Sequence, residues 1–140
     1  MVENAYSLRF DGYYFKTQTD RLPTTSGIYG VYGLSNSFRL IYIGESSNVR
    51  DRVENHEKRT KWQSKIRTGE KICFNVALIS SRERQRAEAA MIYKHKPPCN
   101  TEHVNSFQFD TTTIRTSGKN ACMHDRFTVR RKLRVIGKKF

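Results

Sequence analysis

Side chains that can act on a phosphate ester occur at a few defined places in the sequence. Tyr29 and Tyr42 lie in two β-prone runs, and Arg52 and His56 stand four residues apart in a helix-like stretch. Residues four apart share one face of a helix. Glu88 lies in a second helix-like stretch. Because a carboxylate can hold Mg²⁺ and a guanidinium can stabilise charge on a phosphate, this set suits the hydrolysis of a phosphodiester bond.

The overall charge points to a polyanionic partner. The chain has 140 residues, with 26 Lys and Arg against 13 Asp and Glu, so the formal net charge is +13. A field of that sign attracts polyanions, of which nucleic acid is the commonest. We therefore expect a nucleic acid as the partner, and a merely basic protein is the alternative.

The cysteines and the first residues of the chain bear on the cellular compartment. Cys73, Cys99 and Cys122 are far apart and form no CxxC pair, so neither a disulfide framework nor a zinc site is expected. The start of the chain lacks the basic and apolar regions of a secretory signal, and no apolar run approaches the length of a membrane span. We expect an intracellular, cytoplasmic protein with no membrane partner.

Two strand-like runs and a helix should position the side chains of the two tyrosines and of Arg52 and His56. Residues 27–34 and 38–44 are joined by a Ser-Asn-Ser turn, which predicts an antiparallel hairpin. A helix follows, with one of the residues 46–48 as its N-cap. Tyr29 and Tyr42 then lie on neighbouring strands, so their hydroxyls can reach one site.

The following residues predict two more helices and a third strand. Residues 61–67 suit a short helix that ends before Gly69. Apolar residues alternate along residues 71–80, which is typical of a strand. Residues 81–95 are rich in alanine and predict a helix that ends at a Pro-Pro pair.

The order of these elements predicts an α/β (α+β) fold with a small, mainly antiparallel three-stranded central sheet flanked by helices. The dipeptide Asp11-Gly12 in an aromatic run predicts an N-terminal hairpin within residues 1–23. Residues 104–140 predict a basic C-terminal extension, with strand-like runs at residues 107–114 and 127–136. We expect the whole chain to form a single domain.

Two tripeptides in the predicted hairpin make the chain resemble a known family. GIY at residues 27–29 and YIG at residues 42–44 are the pair that names the GIY-YIG nuclease family. The chain resembles a stand-alone, single-domain member of this family over about residues 24–103. The further matches, in the family's order, are Arg52 and His56 after a GESSNV run, Glu88 in a helix, and a KHKPPCN segment ending at Asn100.

This resemblance implies a divalent-metal-dependent endonuclease that hydrolyses phosphodiester bonds of DNA, one strand per active site. It implies that Glu88 holds Mg²⁺ or Mn²⁺, and Glu83 in the same helix is the alternative ligand. Tyr29 would act as the general base or orient the attacking water, and Tyr42 would position the water or the phosphate. Because a tyrosine has an ordinary pKa of about 10, a base role requires nearby cations that lower the pKa.

The resemblance also gives roles to residues around the phosphate. Arg52 would donate hydrogen bonds to the scissile phosphate, and His56 would bind phosphate or share the proton transfer. Gly44 and Asn100 would brace the site. Ion pairs are the plainer alternative for Arg52 and Glu88. The candidate partners are Glu45, Asp51 or Glu57 for Arg52, and Arg84 for Glu88.

Basic residues toward the C-terminal end predict a surface for nucleic acid. Contacts to phosphates raise affinity without reading sequence. A solvated chain end is the alternative. The residues expected to contact phosphate are Lys94, Lys96, Arg126, Arg130, Arg131, Lys132 and Arg134.

DNA is the expected substrate, as duplex, single strand or branched form. Cutting both strands of a duplex would need a homodimer or successive nicks. The alternatives are a nucleic-acid-binding module without cleavage activity and an RNA-directed basic protein. Restriction, repair and mobile-element roles are all compatible with the sequence.

Overall fold

The chain forms one six-stranded mixed sheet with helices packed against it. The computed structural model describes residues 4–133, so Arg134 lies outside the described residues. The strand order is β3-β2-β4-β1-β5-β6. The elements are β1 (Asn4–Phe15), a 3-10 helix (Lys16–Arg21), β2 (Gly27–Leu34), β3 (Phe38–Ser46), α1 (Val49–Glu54), α2 (Arg59–Ser64), β4 (Lys71–Leu78), α3 (Arg84–His95), β5 (Thr112–Gly118) and β6 (Arg126–Val129).

The sheet confirms the α+β class, but the prediction of three strands is wrong. The three predicted strands are β2, β3 and β4, and they form the antiparallel half of the sheet. The strands β1, β5 and β6 extend the sheet beyond β4, and β1 runs parallel to β5. These additional pairings join the two ends of the chain, and such distant partners leave no local signal in the sequence.

The predicted N-terminal hairpin is wrong as well. β1 is a single strand that pairs with β4 on one side and with β5 on the other. The dipeptide Asp11-Gly12 lies at a register shift in this strand, and Gly12 has φ of 76°. Glycine adopts positive φ both in tight turns and in β-bulges. With a partner strand on each side, the chain continues through the bulge and does not reverse.

The predicted C-terminal extension contributes to the sheet. β5 begins at Thr112, so the strand-like run predicted at residues 107–114 is displaced toward the C-terminus. Only Phe107 from the first part of that run makes a bridge, with Lys132. The later run, predicted at residues 127–136, is confirmed at its start as β6, which ends at Val129 and forms the edge of the sheet. Residues 134–136 of that run lie outside the described residues.

Both faces of the sheet are covered. Ile72, Phe74 and Val76 of β4 join one buried cluster, which also includes residues of α1 and α2. Cys73 and Ala77, at odd-numbered positions of the same strand, join the other cluster, which includes apolar residues of α3. This alternation confirms the strand that the sequence predicted. No helix within residues 4–133 has both the length and the apolar character needed to span a membrane.

The helices begin and end close to the predicted residues. Asn48 caps α1, since its side chain accepts a hydrogen bond from the backbone N–H of Asp51 at 3.1 Å. α3 starts at Arg84, three residues later than predicted, and ends at His95 before the two prolines. The left-handed Lys96, with φ of 45°, turns the chain away from the helix.

Candidate active site

A cleft of about 570 Å³ lies between β2, β3, α1, the first half of α3 and the loop after α3. Five of the residues singled out in the sequence line it. They come from two strands, two helices and one loop and are up to 71 positions apart in sequence, so only the fold brings them together. The five residues are Tyr29, Tyr42, Arg52, Glu88 and Asn100.

Glu88 is a partly buried carboxylate on the α3 side of the cleft. Its pKa is raised to about 8, mainly by burial and in addition by the negative charges of Glu45 and Glu102. No hydrogen bond or ion pair within residues 4–133 engages this carboxylate. A carboxylate in that setting carries an unbalanced charge whenever it is ionised, so a cation that enters the cleft is attracted to it.

The sequence left two alternatives open for Glu88. One was an ion pair with Arg84, and the other was Glu83 as the metal ligand in its place. Arg84 forms an ion pair with Glu45 and donates a hydrogen bond to the Ser26 hydroxyl at 2.9 Å, so it does not pair with Glu88. Glu83 precedes α3, where it accepts a hydrogen bond from the Ser80 hydroxyl at 3.0 Å. Glu83 does not line the cleft. Glu88 is therefore the better placed of the two carboxylates.

Tyr29 extends from β2 to the floor of the cleft and is 0% exposed. Its hydroxyl is buried and has no hydrogen-bond partner among the described residues. Burial raises its pKa well above the ordinary value, the neighbouring Tyr42 adds to this effect, and the positive charge of Arg52 opposes it. The phenol is therefore protonated at neutral pH unless further positive charge comes close to its oxygen.

Gly44 makes room for this ring. Gly44 lies opposite Tyr29 in the β2–β3 pairing. A Cβ atom at Gly44 would lie 2.4 Å from the Tyr29 hydroxyl oxygen. That distance is well inside van der Waals contact, so any side chain at this position would displace the phenol.

Tyr42 is fixed by a contact with His56. Strand β3 has one extra residue, Ile41, opposite the step from Val31 to Tyr32, so Ile41 and Tyr42 point to the same buried cluster. Bulges of this kind redirect a side chain. The Tyr42 hydroxyl lies 3.2 Å from His56 Nε2.

The imidazole of His56 is neutral in this environment. Burial is the main cause that lowers its pKa to about 4, and the charge of Arg52 adds to it. His56 Nδ1 accepts a hydrogen bond from the backbone N–H of Lys58 at 2.9 Å. Nε2 must then carry the hydrogen and donate to the Tyr42 oxygen. The Tyr42 O–H is thereby free to donate into the cleft.

His56 does not line the cleft, in contrast to the expectation that it contacts phosphate. Only 4% of the residue is exposed, and it packs against both Tyr42 and Trp62, with ring centroids 5.2 and 4.7 Å away. Tyr42 lines the cleft and His56 does not, so a phosphate in the cleft would contact Tyr42. His56 can thus affect the site through Tyr42.

For Arg52 the sequence left open a position facing the phosphate and an ion pair, and the structure shows a side chain that both lines the cleft and forms an ion pair. Its guanidinium lines the cleft and also pairs with Glu57, with Nη1 2.9 Å from one carboxylate oxygen and Nη2 3.0 Å from the other. The side chain of Glu57 is 65% exposed. Because exposed ion pairs contribute little free energy, a bound phosphate can compete for the guanidinium.

Asn100 pairs with the edge strand beside the cleft. Its Oδ1 accepts a hydrogen bond from Ile43 N–H, and its Nδ2 donates one to Ile43 C=O, both at 2.9 Å. Cys99 N–H also donates to Ile41 C=O at 2.9 Å. The loop after α3 therefore occupies the free edge of β3 next to Tyr42.

We expect the substitution Asn100→Asp to destabilise the protein and reduce turnover. An aspartate has the same shape but places a carboxylate oxygen against Ile43 C=O, so the free energy of unfolding should fall by about 1–3 kcal/mol. Thermal unfolding checks the first effect, and turnover by the remaining folded protein checks the second. Unchanged values for both would show that the amide does not brace this strand.

The predicted phosphate-contacting residues lie mainly in a second groove. Lys94, Lys96, Arg130, Arg131 and Lys132 line this groove, together with Tyr93. Arg126 is exposed on β6 and does not line it.

Several residues that line the cleft were not predicted as site residues. Glu45 and Arg84 were named only as ion-pair partners. Their positions could have indicated that they belong to the site, since Glu45 directly follows the YIG tripeptide and Arg84 stands one helical turn before Glu88. Lys58 lies with its Nζ 5.6 Å from the centre of the Tyr42 ring. Nothing in the local sequence indicates that Glu102 would reach the cleft, because its place depends on the loop after α3.

The fold and the cleft define an α+β protein with a candidate site for phosphate esters. The chain is 34% identical over 87 residues to UvrABC system protein C from Borrelia duttonii (strain Ly). It is 32% identical over 72 residues to UvrABC system protein C from Thermosipho africanus (strain TCF52B). The matches cover 59% and 51% of this chain but only 14% and 13% of those relatives. No family model and no solved structure matches the chain.

Proposed function

We propose that this chain is a divalent-metal-dependent endonuclease of the GIY-YIG type that hydrolyses DNA, one strand per active site. The convergence of Tyr29, Tyr42, Arg52 and Glu88 on one cleft carries this proposal. The similarity to UvrABC system protein C supports a nuclease and favours a repair role over the other roles open to the family.

The cleft fits one divalent cation held by Glu88. Its carboxylate has a raised pKa and two acidic neighbours, and no cationic side chain among residues 4–133 is bonded to it. Within residues 4–133, no group of three or more His, Cys, Asp and Glu residues is arranged to hold a metal. Mg²⁺ needs few protein ligands, since waters and substrate oxygens complete its coordination. When bound, such an ion neutralises phosphate charge and lowers the pKa of groups around it.

The other side chains hold the phosphate and the attacking water. Arg52 exchanges its exposed partner Glu57 for a phosphate oxygen and stabilises the charge that develops there. Tyr42, oriented by His56, donates its hydroxyl hydrogen into the cleft. Tyr29 lies beside it, with ring centroids 6.3 Å apart, and its unpartnered oxygen is available to the water.

The raised pKa of Tyr29 limits its role. Its phenol accepts a proton only after it has lost its own, and Arg52 is the nearby side chain whose positive charge favours that loss. We propose that Tyr29 releases its own proton to solvent as positive charge gathers in the occupied cleft, and that the phenolate then orients the water and takes one proton from it. The P–O bond to the leaving oxygen breaks as the water oxygen bonds to phosphorus, and the leaving oxygen takes up a proton from solvent.

We expect cleavage at limiting Mg²⁺ to rise with pH and to level off above about 8, the pKa of Glu88. Below that value the carboxyl is protonated and must lose a proton to bind the metal, so the rate should rise about tenfold per pH unit. Initial rates across a pH series at several Mg²⁺ concentrations check this. Higher Mg²⁺ should move the midpoint to lower pH, and a midpoint that does not depend on Mg²⁺ would exclude Glu88 as the group that titrates.

A cleavage panel tests the activity itself. Single-stranded, duplex and branched DNA, with matched RNA, would be incubated with the protein and Mg²⁺ or Mn²⁺, and the ends would be mapped. Metal-dependent cutting of DNA supports the proposal. Binding without cutting on every substrate would favour a nucleic-acid-binding module, and preferential cutting of RNA would favour an RNA-directed protein.

A further inference from the structure

The groove of about 510 Å³ between the C-terminal end of α3 and the residues after β6 is strongly basic. Five cationic side chains line it, and no carboxylate of the described residues does. All five of these residues are exposed. The five are Lys94, Lys96, Arg130, Arg131 and Lys132.

Two of these cations are held in place by neighbours. Lys96 Nζ lies 3.9 Å from the centre of the Tyr93 ring and donates a hydrogen bond to Val104 C=O. Arg131 Nη2 lies 2.9 Å from Asp110 Oδ1. Lys94, Arg130 and Lys132 have no side-chain hydrogen bond or ion pair to residues 4–133, so they can turn toward an anion.

The groove and the cleft share α3 and the loop that follows it. Glu88 lines the cleft and Lys94 lines the groove, six residues later, which is about 9 Å along the helix axis. Val104, the partner of Lys96, directly follows His103, which lines the cleft. The cleft and the groove therefore adjoin the same helix and the same loop.

We propose that this groove binds the DNA backbone a few nucleotides from the bond that is cut. Glu88 and Lys94 are about 9 Å apart along the axis of α3 and lie on different faces of that helix, so the path between the two sites spans at least about three nucleotides at about 3.4 Å each. No carboxylate of the described residues lines the groove, and Asp110 beside it is paired with Arg131. The groove therefore holds the substrate without reading its sequence. This inference takes the identity of the polymer from the proposed function.

The test compares two triple variants of the full chain with equal charge. Lys94, Arg130 and Lys132 are replaced by Gln in the groove variant. The control variant replaces Arg9, Arg21 and Lys71 by Gln, three exposed residues outside the groove. Anisotropy of a labelled 30-bp duplex and of a 30-nucleotide strand is measured in EDTA over a range of salt concentrations, with thermal unfolding as the check of folding.

We expect the groove variant to bind the duplex with a salt slope smaller by roughly 2 to 3, and roughly 100-fold more weakly at 0.1 M salt. The control variant should lose less than one unit of slope. A third variant, Lys94→Arg, Arg130→Lys and Lys132→Arg, should bind like the wild type. Equal losses in the groove and control variants, or no loss in either, would overturn the proposal. A preference for the single strand over the duplex would assign the groove to an unpaired strand of the substrate.

Binding in EDTA separates this inference from the proposed activity. If no substrate in the cleavage panel is cut but only the groove variant loses affinity, DNA binding by the groove is supported and the nuclease activity is not. If the wild type cuts DNA and the groove variant binds as the control variant does, the nuclease activity is supported and DNA binding by the groove is not.

Discussion

Replacing Glu88 by Gln should abolish metal-dependent cleavage and leave the protein folded. Glutamine keeps the shape of the side chain but cannot supply the anionic oxygen that a divalent cation requires. We expect the cleavage rate to fall by about 10³-fold or more, which corresponds to about 4 kcal/mol of lost transition-state stabilisation. Single-turnover cleavage at saturating protein, with Mg²⁺ and with Mn²⁺, measures the loss without a contribution from binding.

The same substitution should increase stability above neutral pH. The pKa of Glu88 is raised to about 8 in the folded protein from an ordinary 4.5, so the folded state holds this proton more tightly than the unfolded state. Stability from this group is therefore full below the ordinary value, falls as the pH rises toward about 8, and stays low above it. Glu88→Gln removes that loss, which amounts to a few kcal/mol at most.

Glu83→Gln is the matched control, because it removes the same charge at the N-terminal end of the same helix. Glu83 does not line the cleft, so its substitution should leave the cleavage rate within about twofold of the wild type. If Glu88→Gln cut as fast as Glu83→Gln, Glu88 would not hold the metal. If Glu88→Gln lowered the melting temperature at pH 9, its carboxylate would have a stabilising partner that the cleft does not show.

The part of the fold nearest the cleft could be predicted because its signals are local. A turn between two β-prone runs predicts the β2–β3 hairpin, a polar residue at 46–48 predicts the start of α1, and the Pro-Pro pair predicts the end of α3. Each signal acts within a few residues. The structure confirms all three, with Asn48 as the cap of α1.

The other half of the sheet could not be predicted, because it depends on partners far away in sequence. Asp11-Gly12 suits a bulge as well as a turn, and only the presence of β4 and β5 on either side of β1 decides between them. The bulge at Ile41 is likewise invisible in the β3 sequence, although it decides where Tyr42 points.

The pKa values of the site residues could not be predicted from the sequence either. The family resemblance implied that Tyr29 acts as a base or orients the water, where a base role would need its pKa lowered by cations, and that His56 binds phosphate or shares the proton transfer. In the structure, burial raises the pKa of Tyr29, and His56 lies behind Tyr42 with its pKa lowered to about 4. Burial opposes charge on either group, and the extent of burial follows from packing.

Replacing Tyr29 by Phe should separate catalysis from stability. The Tyr29 hydroxyl is buried and has no hydrogen-bond partner among residues 4–133, and such a group costs about 1–3 kcal/mol of stability. Its removal should therefore leave the free energy of unfolding unchanged or raise it by about 1 kcal/mol. The cleavage rate should nevertheless fall by about 10²- to 10⁴-fold, the usual contribution of a group that positions or moves a proton.

Tyr32→Phe is the control on the same strand. The Tyr32 hydroxyl donates to Ala121 C=O at 2.8 Å and accepts from Asn75 Nδ2 at 3.0 Å, so its removal should cost about 1–3 kcal/mol. Tyr32 does not line the cleft, and cleavage by the folded fraction should be unchanged. Urea unfolding and single-turnover cleavage of both variants measure the two effects.

If Tyr29→Phe loses as much stability as Tyr32→Phe, and its activity follows the folded fraction, Tyr29 is only a core residue. A stable but inactive Tyr29→Phe variant would instead show that the unpartnered hydroxyl is kept for the reaction, because folding alone would favour phenylalanine at that position.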